Sequence, residues 1–170
     1  MKKCCFTGHR PKIFPWHNNE ADNRCIKLKA RLKAEIINAI SLGYTYFITG
    51  GALGVDTWAA EIILDEKKTN RNIVLELALP FESHNKIVDS QNDAKRLDSI
   101  RDKADFITVV ANNESILESF RKRDRYMVDQ SDKLIAVYDD GSGIKSGTYR
   151  TLEYAKAKGL LIAQINWMDC

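Results

Sequence analysis

Three short segments combine glycine with polar or charged residues, and each follows an apolar run. The first, TGHRP at residues 7–11, offers a hydroxyl, a flexible backbone, an imidazole and a guanidinium from Thr7, Gly8, His9 and Arg10. A guanidinium can donate two hydrogen bonds to one phosphate or carboxylate. The segment therefore indicates an anion site. The alternative is that His9 and Arg10 pair with an acidic neighbour.

The second segment is GGALGVD at residues 50–56, with glycines at Gly50, Gly51 and Gly54. Glycines permit close backbone approach, and the start of the following helix offers unpaired N–H groups to an anion. The spacing fits neither G-x-G-x-x-G nor the P-loop, because no Gly-Lys-Ser/Thr follows. Asp56 is either a helix-start carboxylate stabilised by the helix dipole or an acceptor for a ribose hydroxyl.

The third segment is DDGSGIKSGTYRT at residues 139–151, in which Ser146, Gly147 and Thr148 come just before a predicted helix. Backbone N–H groups and hydroxyls at that place can hold a second anion. The alternative is an ordinary mobile loop with Thr148 as the helix N-cap.

Other residues offer weaker signals. The run RKRDRYMVDQSD at residues 121–132 is typical of a solvated helix face, from which Arg125 or Tyr126 could still reach the site. Pro80, at the end of an apolar run, is a further weak candidate. His84, Trp16 and Trp58 stand alone in the sequence and are interpreted as surface or packing residues.

Catalytic and metal-binding patterns are missing from the sequence. The chain has four cysteines, at Cys4, Cys5, Cys25 and Cys170, without a CxxC pair or zinc-ligand spacing. We interpret them as reduced thiols that mostly serve packing. No Ser/His/Asp or Cys/His triad follows from the spacing, and no cofactor or metal is expected.

Short apolar runs alternate with segments of helical period along the chain, a pattern that indicates βαβ units. Strands are predicted at 4–7, 44–49, 73–79, 106–111, 134–138 and 160–165. The prediction is an α/β fold: a single Rossmann-like three-layer domain over residues 1–170 with a mostly parallel sheet of about six strands. In such sheets ligands bind beyond the carboxyl ends of the strands, where the three segments converge. Residues 12–23 are predicted to form an exposed excursion.

Composition excludes several classes of protein. The 170 residues are 44% hydrophobic and 29% charged, so a core can form and global disorder is ruled out. No apolar run approaches the roughly 18 residues that span a bilayer, and no secretory signal is visible, so a cytoplasmic protein without a membrane partner is expected. A net charge of +3 is too small to favour nucleic acid as a partner.

Four stretches, CCFTGHRP, ITGGALGVDTWAAE, RDRYMVDQSDKLIAVYD and SGTYRTLEYAKAKG, resemble the YpsA-like branch of the SLOG superfamily. The superfamily also contains the DNA-processing protein DprA and the LOG phosphoribohydrolases. The resemblance implies a Rossmann-like fold that binds nucleotides or nucleotide-derived ligands. It implies ligand contacts from Thr7, Gly8, His9, Arg10, Gly50, Gly51, Gly54, Asp56, Ser146, Gly147, Thr148 and Thr151. LOG-like members are commonly dimeric, so a homo-oligomer is expected.

Three functions are consistent with these residues. The first is a protein that senses or sequesters a nucleotide-derived small molecule, for example an ADP-ribose-like signal. The second is a LOG-like N-glycosidase acting on nucleoside monophosphates, with Arg10 holding the phosphate and Asp56 or Glu153 stabilising oxocarbenium-like charge. The resemblance argues against it, since Thr151 stands where the LOG pattern has its glutamate and Glu153 lies two positions further along. The third is DprA-like binding of single-stranded DNA through the basic run.

Overall fold

The computed structural model describes residues 1–83, 90–111, 114–143 and 145–170. These residues contain one six-stranded sheet in which every pairing is parallel. The strands are β1 (Lys2–Gly8), β2 (Tyr44–Thr49), β3 (Val74–Leu79), β4 (Phe106–Val109), β5 (Lys133–Val137) and β6 (Leu161–Ile165). The predicted Rossmann-like α/β fold is thereby confirmed. His84 lies outside the described residues.

Helices cover both faces of the sheet, which makes three layers. They are α1 (Asn23–Ser41), α2 (Val55–Lys67), α3 (Gln91–Lys103), α4 (Ile116–Asp129) and α5 (Gly147–Ala157), with short 3-10 turns at Pro11–Ile13, Asp140–Ser142 and Trp167–Asp169. Alternate strand residues face opposite layers: Phe6 packs in the core under α1, α2 and α3, whereas Cys5 packs in the core under α4 and α5. Burial on both faces explains why the strands read as nearly continuous apolar runs.

The order of the strands, β4-β3-β2-β1-β5-β6, defines where a ligand can enter. The chain adds β2, β3 and β4 successively on one side of β1, and then returns to place β5 on its other side. The connections that follow β1 and β5 therefore diverge to opposite faces. A crevice opens between them at the carboxyl edge, which is the usual ligand site of an open parallel sheet.

Residues 12–23 form an exposed excursion only in part: eight of the twelve residues are exposed, but two aromatic residues are buried. Phe14 is fully buried and Trp16 is 5% exposed. The Phe14 ring stacks on Trp16 with centroids 4.8 Å apart and also contacts Trp58 at 5.7 Å and Trp167 at 5.5 Å. These aromatic residues are far apart in the sequence and follow no period, so only the fold shows that they form one cluster.

Glu20 anchors the same connection to the helices beneath it. Its carboxylate accepts hydrogen bonds from Trp58 Nε1 at 2.8 Å, Lys29 Nζ at 2.9 Å and Arg96 Nη1 at 2.7 Å. Arg96 also binds Glu61 through Nε at 2.6 Å. Partial burial would raise the pKa of Glu20, but these donors outweigh burial and hold that pKa at about 2.

A second buried carboxylate fixes α4 against the sheet. Glu76, in the middle of β3, is 3% exposed and accepts hydrogen bonds from the hydroxyls of Tyr46, Thr108 and Tyr126 at 2.8, 2.6 and 2.7 Å. Burial and the bond to Glu76 raise the pKa of Tyr126. Buried polar groups must be hydrogen-bonded, so this set of bonds specifies how α4 is seated.

Within the described residues, no helix is both long and apolar enough to cross a membrane.

The Glu20 contacts predict a stability that depends on pH. Replacing Glu20 with glutamine should lower the free energy of unfolding at pH 7 by about 1–3 kcal/mol, because partly buried donors lose a charged acceptor. In the native chain this contribution is complete above the ordinary glutamate pKa of 4.5 and is lost as pH falls toward about 2, since the unfolded state takes up the proton first. Urea unfolding of both proteins between pH 3 and pH 7 measures the difference.

The matched control is Glu153→Gln, which alters an exposed glutamate paired with Lys156 on the surface of α5. Such pairs contribute little to stability, so its unfolding curve should follow that of the native chain at every pH. A Glu20→Gln protein that also followed the native chain would contradict the anchoring role.

Candidate functional site

A cavity of about 320 Å³ occupies the crevice between the connections after β1 and β5. Eight of the residues predicted from the sequence line it: Thr7, Gly8, His9, Arg10, Asp56, Ser146, Gly147 and Thr148. The sequence prediction did not include Lys12, Phe120, Arg123, Asp124 or Met127, which also line it. The cavity is thus lined by segments that lie more than a hundred residues apart in the sequence.

Close packing at Gly8, which lines the cavity, and at Gly54, which does not, forms and supports the floor of the cavity. A β-carbon at Gly8 would stand 2.4 Å from Cγ2 of Val55, so the first turn of α2 can lie against the end of β1 only because no side chain intervenes. Gly54 has a φ of +93°, and a β-carbon there would stand 2.8 Å from the carbonyl oxygen of His9. Gly51 lies at a neighbouring narrow space lined by Thr57 and Leu77. The close approaches at Gly8 and Gly54 bring α2 and the loop after β1 together.

Arg123 joins α4 to the glycine segment. It is 7% exposed, its Nη1 donates to the carbonyl oxygen of Gly50, and a β-carbon at Gly50 would overlap the guanidinium. The same Nη1 lies 3.8 Å from Asp56 Oδ2, while Nε donates to Asp124 Oδ1 at 2.8 Å. For Arg123 the prediction of a solvated helix face was therefore wrong.

The position of Arg123 in the helix could have indicated its burial. It lies three residues after Phe120 and four before Met127, which is the spacing of one helix face. Met127 is 2% exposed, so this face points inward. The neighbouring cations of the run are exposed and paired: Arg121 with Glu118 and Lys122 with Glu114.

Asp56 is a largely buried carboxylate at the cavity wall. Its side chain is 12% exposed and accepts a hydrogen bond from the Ala52 backbone N–H at 3.3 Å. Burial raises the pKa of this carboxyl, and Arg123 and the Ala52 N–H oppose the rise. Asp56 is both a residue of the first turn of α2 and a group that faces the cavity, so the two interpretations are compatible.

His9 closes one side of the cavity with a neutral ring. The imidazole is 5% exposed and contacts the rings of Phe14 and Tyr138, with centroids 6.1 and 5.8 Å away. Its Nδ1 lies 3.5 Å from the Thr148 hydroxyl. Burial lowers the pKa of His9, and Asp139 partly opposes this. The ring is therefore uncharged at neutral pH and can either donate or accept a hydrogen bond.

Arg10 and Lys12 supply positive charge at the mouth of the cavity. The Arg10 guanidinium lies 5.2 Å from the centre of the Phe120 ring. Among the residues that the structure describes, neither cation forms an ion pair with an acidic side chain. Arg10 is exposed, and so is Lys12. Both side chains are thus available to an anion.

The start of α5 faces these cations across the cavity. Ser146 is the N-cap residue and accepts from the Tyr149 N–H at 3.2 Å, whereas Thr148 turns toward His9. A β-carbon at Gly147 would meet nothing within 4 Å, so the first turn of the helix is open. Thr151 donates its hydroxyl to the Gly147 carbonyl at 3.0 Å within the helix.

The remaining predicted residues do not line the cavity: Gly50, Gly51, Gly54, Pro80, Arg125, Tyr126, Thr151 and Glu153. Glu153 pairs with Lys156 at 2.9 Å on the surface. Tyr126 donates to Glu76 beneath the sheet, and Arg125 lies in a neighbouring groove. In the described parts of the chain, no three His, Cys, Asp or Glu side chains cluster closely enough to hold a metal ion.

A parallel sheet with helices on both faces and a polar cavity at its switch point defines a Rossmann-like α/β protein. The sequence model of one family, YpsA, described as the YspA SLOG family, matches residues 4–170. The chain therefore belongs to the YspA SLOG family, as the resemblance in its motifs predicted.

Relatives in several bacteria are similar over much of their length. An uncharacterized SPbeta prophage-derived protein, YoqJ, of Bacillus subtilis is 34% identical over 77% of this chain and 81% of its own length. A UPF0398 protein of Bacillus cereus is 30% identical over 94% of this chain and 85% of its own. A UPF0398 protein of Staphylococcus haemolyticus is 30% identical over 66% of this chain, which spans 60% of that relative.

The two glycines of the cavity should differ in their tolerance of a methyl group. Gly8→Ala should lower the free energy of unfolding by about 1–3 kcal/mol, because the β-carbon overlaps Val55 and displaces α2. Gly147→Ala should leave stability within about 0.5 kcal/mol of the native chain, because its β-carbon enters open space. Urea unfolding of both variants measures this, and equal stabilities would contradict the close packing at Gly8.

Proposed function

We propose that the chain binds a nucleotide or a nucleotide-derived small molecule, such as an ADP-ribose-like compound, in the cavity at the carboxyl edge of the sheet, and that it acts by sensing or sequestering that molecule. The observation that carries the proposal is the pair of cations at the mouth, Arg10 and Lys12. Both face the cavity without an acidic partner among the described residues. Family membership agrees with a nucleotide-related role.

The charges inside the cavity favour an anion. Asp56 and Asp124 are negative, but Arg123 lies against both of them. The three cations that line the cavity, Arg10, Lys12 and Arg123, outnumber these two carboxylates by one. The first turn of α5 adds the positive end of a helix dipole. A phosphate between Arg10 and Gly147 would meet donors from two sides.

The other walls suit the remaining parts of a nucleotide. Asp56 and the neutral His9 can accept or donate hydrogen bonds to ribose hydroxyls. The Phe120 ring offers an apolar surface beside the phosphate-binding cations, on which a base can stack. The guanidinium groups of Arg10 and Arg123 lie 5.2 and 5.6 Å from the centre of this ring, so a base would stack beside two cations.

Removing the guanidinium at the mouth tests the proposal. Arg10→Ala should weaken binding of nucleoside 5′-monophosphates by roughly 10–100-fold, because one charge-assisted contact is lost. Isothermal titration of the native chain and the variant with the four common ribonucleotides and ADP-ribose measures the change.

The matched control is Arg71→Ala. Arg71 is an exposed arginine in the turn before β3, at the opposite edge of the sheet, and its loss should leave affinity unchanged. If the native chain binds none of these compounds, or if both variants bind like it, the proposed role of the cavity is wrong.

The raised pKa of Asp56 favours a second candidate function, that of an N-glycosidase acting on nucleoside monophosphates. A carboxyl whose pKa lies above its usual range beside a ligand cavity is typical of a catalytic acid. Glu153, the other candidate carboxylate, is exposed and paired with Lys156, so this chemistry would depend on Asp56.

Chromatography of each bound nucleotide after incubation with the purified protein tests this candidate. An N-glycosidase releases the free base and ribose 5-phosphate, and Asp56→Asn should abolish that release while binding persists. Recovery of every nucleotide intact would exclude hydrolysis and leave the sensing or sequestering function. Release that continues in Asp56→Asn would exclude Asp56 as the acid.

A further inference from the structure

A second groove, of about 550 Å³, runs between α4 and α5 next to the cavity. The two spaces share three lining residues, Phe120, Asp124 and Gly147. The two spaces therefore adjoin along these residues, so a ligand that extends past them enters the groove. The function proposed above uses the cavity alone and leaves the groove without a role.

Two arginines in the groove are available for an anion. Arg125 and Arg150 are both exposed, and in the described ranges of the chain neither forms an ion pair with an acidic side chain. Arg150 donates only weakly, from Nη1 to the Lys145 carbonyl at 3.4 Å. Arg121, by contrast, is already paired with Glu118.

Aromatic rings stand at both ends of the groove. Phe120 lies where the groove meets the cavity, and Tyr154 lies further along, half-buried on α5. The Arg125 guanidinium lies 5.8 Å from the centre of the Tyr154 ring. The Tyr154 hydroxyl is held by Asp129 at 3.0 Å, which fixes the ring. Aromatic rings beside exposed arginines are the pattern that stacks bases and holds their phosphates.

We propose that the ligand of this chain is a dinucleotide: one nucleotide occupies the cavity at Arg10, and the second lies in the groove with its phosphate at Arg125 and Arg150 and its base near Tyr154. This inference rests on the proposed function, because the first nucleotide must bind in the cavity. It adds the size of the ligand and a second set of binding residues. A mononucleotide fills only the first position.

Isothermal titration with matched ligands tests the inference. The probes are the four ribonucleoside 5′-monophosphates and the four corresponding 5′-phosphorylated homodinucleotides. At least one dinucleotide should bind about tenfold or more tightly than its mononucleotide. Arg150→Ala and the double variant Arg125→Ala/Arg150→Ala should remove most of that gain while mononucleotide affinity stays within about twofold of the native chain.

Arg71→Ala is again the control, because it removes the same charge far from the groove. Equal affinities for mononucleotide and dinucleotide would overturn the inference but leave the proposed function standing. The inference would also be overturned if the gain in affinity for the dinucleotide persisted in the double variant, or if Arg71→Ala removed it equally. If none of the eight compounds binds, both the inference and the proposed function fail.

Discussion

The buried guanidinium of Arg123 is the contact on which the rest of the site depends. It holds the Gly50 carbonyl and two aspartates at once, and so connects α4 to the segment between β2 and α2. Removing one partner of a buried charge pair typically costs about 3–5 kcal/mol, because the other charge is left uncompensated. The space for this guanidinium exists only because residue 50 has no side chain.

Several of the glycines at the site therefore allow close packing within the protein itself, independently of any ligand. Gly8 accommodates Val55, Gly50 accommodates Arg123, and Gly54 accommodates the His9 carbonyl. Each close contact brings one more segment to the edge of the sheet. Gly147 is different, because it faces open space at the start of α5. The same residue type thus has two roles: compact packing of the floor and an unobstructed opening.

The sequence was sufficient to predict the sheet, the helices and the edge at which they converge, because apolar periodicity and strand-to-loop order carry that information. Eight predicted residues line the cavity for the same reason. The missed features are contacts between distant polar or aromatic side chains. Arg123 was concealed within a basic run, and Phe14 and Trp16 lay in a segment without periodicity. Only the three-dimensional arrangement reveals their partners.

All three tryptophans of the chain belong to one cluster. Trp16, Trp58 and Trp167 each contact the ring of Phe14, which in turn touches the ring of His9 at the cavity wall. The tryptophan fluorescence of the protein therefore originates from a single place next to the site. A change in the packing of the loop after β1 would alter the fluorescence of all three tryptophans, which therefore reports on the conformation of this region.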